Sequence, residues 1–127
     1  MGVEPFLRAF LDGKLDATNF RHADHVRAGF EILRHHEFPD AAAAFARSLK
    51  QIAAQAGVPG RYHETITVAF LSLIAERQVL GDHADFESFA IANPDLMDAS
   101  VLKRWYAPER LMSDIARKTF VLPDVPQ

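Results

Sequence analysis

The chain has 127 residues, 49% of them hydrophobic and 24% charged, enough for one domain with a single real core. A net charge of -3 and a pI near 6.0, without any long basic run, exclude a nucleic-acid binder. Cysteine is absent, so disulfides and thiolate metal sites are excluded, and the longest apolar-rich run, Ile66 to Ala75, is too short to span a bilayer.

In chain order, the helical period dominates and strand alternation is nearly missing. A short first helix is predicted over Val3–Leu11, stopped by Gly13. Thr18 or Asn19 is expected to cap a second helix running to about His36. Pro39 suits the first turn of a third, which passes through Ala41–Ala44 to Ala56 and ends at Gly57-Val-Pro-Gly60. The fourth spans Tyr62 to Leu80 and is closed by Gly81. Asp82 is expected to cap a fifth, Ala84–Ala92, which Asn93-Pro94 breaks. Shorter pieces follow: Asp98 caps a helix through Tyr106, Pro108 starts a turn, and Ser113 caps a helix ending near Phe120. The tail from Leu122 to Gln127 reads as extended. The expected fold is all-α: one domain over residues 1–127, an up-and-down bundle of four main helices with shorter C-terminal helices. The N-terminus has no basic segment followed by an apolar stretch, so no signal peptide is read and the expected location is cytoplasmic, without a membrane or nucleic-acid partner.

Three histidines are the candidate site. With His22 at zero on a wheel of 100° steps, Val26, Gly29, Phe30 and Leu33 fall between about -20° and 80°, and His25 at about -60°. His22 is therefore in the middle of the apolar stripe, and His25 is at its edge. In the fourth helix, His63 shares its sector with Ile66, Phe70 and Ile74. If the second and fourth helices run parallel, their first turns share one bundle end, and His22, His25 and His63 converge there. His36, about 21 Å farther along its helix, is excluded.

Neutral imidazoles bind zinc, nickel or iron, and the three histidines are the candidate metal ligands. Glu64 is the candidate acid/base or outer-shell carboxylate, while Tyr62, Thr67 and Trp105 are candidate ligand-binding residues. The spacing is only H-x-x-H plus a remote histidine. Three readings thus remain open: a metal site, with or without an enzymatic reaction on a small molecule; a metal-free polar pocket for a small ligand; and a structural network in a non-catalytic interaction protein, a homodimer.

Three segments carry a resemblance: His22-Ala-Asp-His-Val-Arg27, Tyr62-His-Glu-Thr-Ile-Thr67, and Leu102 to Pro126 with its Tyr-Ala-Pro-Glu-Arg-Leu core. Together they resemble a family of small uncharacterised bacterial proteins with H-x-x-H-(V/L)-R, Y-H-E-T-I-T and Y-(S/A)-P-E-R-L segments. The resemblance implies no activity. It covers most of the chain and departs at Trp105, where the family is associated with tyrosine.

Overall fold

A computed structural model describes residues 4–125. The start predicted at Val3 and the last two residues of the tail lie outside them. The described residues form seven α-helices joined by 3-10 turns, with no strand: α1 (Pro5–Leu11), α2 (His22–Leu33), α3 (Phe38–Gln55), α4 (Glu64–Leu80), α5 (Phe86–Ala92), α6 (Pro108–Leu111) and α7 (Asp114–Lys118). None of the helices is long and apolar enough to cross a membrane.

Helix starts follow side-chain oxygens that accept from first-turn amides. Asp85 accepts from the Ser88 amide and Ser113 from the Ala116 amide, satisfying donors that a helix start leaves open. Asp85 rather than Asp82 therefore opens α5. Asp98 caps a 3-10 turn, Ala99–Arg104, where an α-helix was expected. Thr18 and Asn19 likewise belong to a 3-10 turn, Ala17–Asn19, capped by Asp16, and α2 begins three residues later with Arg21 in the cap position. Gly13 and Gly57 follow α1 and α3 with φ of 71° and 78°, a left-handed conformation that glycine adopts without a Cβ penalty.

Three helices of twelve to eighteen residues, α2, α3 and α4, make the frame, and the seven-residue α1 lies against α2 and α3. The His22 ring meets Phe70, Gly29 faces Leu71 and Ile74, and the Phe30 carbonyl accepts from Gln78. Positions rise together along the two helices, so α2 and α4 run the same way. A Cβ on Gly29 would come within 2.8 Å of Ile74 Cδ1, which explains why glycine stands at this crossing. The core has two halves on either side of these helices. Leu7, Phe10, Phe45 and Leu71 anchor one, while Phe30, Phe89, Leu96 and Tyr106 anchor the other. Helix α4 has apolar residues on several faces because it packs against α2, α3 and α7 at once.

The C-terminal part is strapped across the start of α4. The buried Thr65 hydroxyl donates to the Thr119 carbonyl (2.8 Å) and accepts from the Val121 amide (3.0 Å). Tyr106 Oη donates to the Val121 carbonyl (2.8 Å).

Candidate functional site

His63 does not begin α4; it is the cap residue before it, with extended φ and ψ of -137° and 112°. A cap side chain turns back over its own first turn. Here Nδ1 accepts from the Ile66 amide (3.1 Å), and Nε2–H donates to the Leu111 carbonyl (2.6 Å). The proton is thereby placed on Nε2. Both ring nitrogens are used, and the ring is 6% exposed. The expectation that His63 shares the Ile66–Phe70 stripe as a helical residue is corrected by the start of α4 at Glu64, two positions after Tyr62.

His22 lies where the wheel put it, facing α4. Its Nε2–H donates to the Leu96 carbonyl (2.9 Å), and its ring packs edge-on against Phe70 at 4.9 Å. Phe70 is seven residues beyond His63, about 10 Å along the helix axis. The His22 ring is thus engaged with Phe70 and Leu96, and the His63 ring with Ile66 and Leu111.

His25 differs from both. It is half-buried, packs edge-on against Phe20 at 4.9 Å, and stands 6.3 Å from the His22 ring. Neither of its nitrogens has a hydrogen-bond partner among the described residues. Burial, and then the neighbouring His22, pull its pKa from the ordinary 6.5 to about 4, against a smaller opposite effect of Asp24. At neutral pH the ring is uncharged, with one N–H donor and one lone pair on offer.

His25 borders two adjoining cavities. The larger, about 510 Å³, is enclosed by the Ala17–Asn19 turn, the C-terminal half of α3 and the first turn of α4, with Arg61, Tyr62 and His63 on its wall. The smaller, about 320 Å³, lies among Val26, Phe45, Phe70 and Ile74, touches His22 and reaches the surface at Arg21 and Ala99. Phe20, His25, Leu49, Ile66 and Thr67 line both, so the two form one cleft. Such volumes suit a small organic molecule. Leu49, Ile52 and Ile66 supply most of the wall shared with α3 and α4. The periodicity marked them only as core, since a cleft wall and a core face carry the same apolar pattern.

The other candidates divide. Thr67 faces the cleft and donates its hydroxyl to the His63 carbonyl (2.8 Å), leaving lone pairs available. Tyr62 lines the larger cavity, but its hydroxyl donates to Glu64 Oε1 at 2.6 Å. Burial and that carboxylate push the phenol well above its usual range. Glu64, held by Tyr62, lines neither cavity. Trp105 sits elsewhere, beside Ala69, Tyr106 and Phe120, with the Arg104 guanidinium 4.8 Å from its ring centre.

The donor set does not fit a three-histidine metal centre in this arrangement. His63 has no free lone pair, and no group of three or more His, Asp or Glu among the described residues is placed to hold a metal ion. What the site offers is a mostly apolar cleft with one neutral, unpartnered imidazole in its wall. Comparison with family models, curated proteins and solved structures gives no match.

Proposed function

We propose that this chain is a small-molecule-binding protein whose ligand occupies the cleft between α2, α3 and α4, with His25 as its hydrogen-bonding contact. The observation that carries this is the His25 ring, which has polar atoms and no protein partner in the wall shared by both cavities. The His25 nitrogens open onto the cleft and are not sealed in the core, so a ligand there exchanges water contacts for a direct hydrogen bond. His22 and His63 support the reading by contrast, because each is tied to a backbone carbonyl and so holds the walls. In this proposal the three long helices are the core of an up-and-down bundle, with the ligand entering beside the first turns of α2 and α4.

The test is a titration with n-hexanol and phenol, followed by the ¹⁵N and ¹³C signals of labelled histidine rings. The expected result is a saturable shift of the His25 ring, with the His63 ring unmoved. His25→Leu keeps an apolar body but removes both nitrogens, and binding of phenol should weaken about tenfold, the worth of one good hydrogen bond. Unchanged His25 signals, or equal affinity in the variant, would overturn the proposal.

A further inference from the structure

The geometry points to an amphipathic carboxylate as the cleft's ligand, with its anionic end at Arg61 and its alkyl chain running past His25 toward Phe70. This inference rests on the reading of the cleft as a binding site and adds the charge and shape of the occupant.

Charge is the first observation. The chain has seventeen Asp and Glu residues against fourteen Lys and Arg, yet no carboxylate lines either half of the cleft. Each half instead has one arginine: Arg61 on the larger cavity and Arg21 on the smaller. Across α2, by contrast, a separate surface cavity gathers Asp24, Glu31, Asp85 and Glu87 around Arg27. The carboxylates nearest the cleft are engaged by its own residues, Asp24 accepting from the Arg21 amide and Glu64 from the Tyr62 hydroxyl. Arg61 is exposed and pairs with no carboxylate among the described residues, so its guanidinium is available to an incoming anion. The first turns of α2 and α4 border the same space, and the positive ends of two helix dipoles add to the preference for an anion.

Shape is the second observation. The Arg61 half also has the Thr18 and Tyr62 hydroxyl-bearing side chains on its wall, whereas the other half is lined mainly by Val26, Phe45, Phe70 and Ile74, with Arg21 and His22 at its α2 edge. A molecule with one charged end and one hydrocarbon end matches that gradient. The neutral His25 ring lies at the waist between Leu49 and Ile66, where it puts no charge beside the chain.

The experiment compares octanoate, octan-1-ol and octylammonium by calorimetry and His25 ring shifts at pH 7.5 in low salt. Octanoate is expected to bind about two- to fivefold tighter than the alcohol, the range for a solvent-exposed ion pair, and octylammonium more weakly than either. Each methylene removed from the carboxylate should weaken binding about fourfold. Arg61→Gln, at an exposed position outside the core, should bring octanoate down to the level of octanol and leave octanol unchanged. If octanol or octylammonium binds as tightly as octanoate, or if Arg61→Gln does not change octanoate, the charge assignment falls while the cleft reading stands. If none of the three moves the His25 ring, both fall.

Discussion

His63→Ala tests the architecture at its tightest point. The substitution removes two hydrogen bonds at once: the cap on the Ile66 amide and the tie to the Leu111 carbonyl. Loss of a side-chain cap costs about 1 kcal/mol. The Leu111 carbonyl, 48 residues away in sequence and in a buried contact, then loses its partner, a further cost of about 1–3 kcal/mol. The expected total is about 3 kcal/mol, a large share of the roughly 5–15 kcal/mol that holds a small domain together. Urea denaturation followed by circular dichroism at pH 7.5 should show a lowered midpoint with an unchanged slope. His63→Asn separates the two contributions. Its shorter side chain can still accept from the first-turn amides but does not reach Leu111, so it should recover about 1 kcal/mol and no more. A loss below about 1 kcal/mol for His63→Ala, or an Asn variant no better than Ala, would refute the dual role assigned to this ring.

Two further outcomes follow from named contacts. His25 stays neutral in the folded chain down to about pH 4 but takes up a proton near 6.5 once unfolded, so the unfolded state binds more protons between those values. Stability should therefore fall as pH drops from 6.5 to 4, by about 2–3 kcal/mol relative to His25→Leu, with no difference in slope above pH 7.5; a His25 ring that titrates near 6.5 by NMR would contradict this. Thr65→Val keeps the volume of a fully buried side chain but leaves the Thr119 carbonyl and the Val121 amide without their partner. It should cost about 2–4 kcal/mol and speed hydrogen exchange at Val121, and an unchanged exchange rate there would count against the strap.

What was legible in the sequence was local. Gly13, Gly57, Asp98 and Ser113 announce their turns because a cap or a left-handed φ involves only three or four neighbouring residues. The all-α class and the approximate bounds of α3 and α4 came from the apolar period for the same reason. The histidines show where this stops. His22 and His25 fall inside α2, and the wheel set them correctly on the stripe and at its edge. His63 lies one position outside α4, where the wheel no longer applies, and its two hydrogen bonds leave no mark on the apolar period. Its partner Leu111, like the partners of Thr65, is about fifty residues away and leaves no periodic trace. Trp105 was drawn to the site by its aromatic character alone, but its neighbours are on another side of α4.

The strap over α4 has a consequence for the order in which the molecule can be assembled. The residues from Leu111 to Val121 are synthesised only after all of α1 to α4. Until those residues arrive, the His63 ring can cap its helix but has no carbonyl to hold, and the Thr65 hydroxyl has neither of its two backbone partners. The nascent chain can thus pair its long helices early through contacts close in sequence, while the wall bearing His63 and Thr67 gains its bracing only once the residues from Leu111 to Val121 have been made. Closing loops of this length is slow compared with winding a helix, so the cleft should be among the last parts of the protein to acquire its shape.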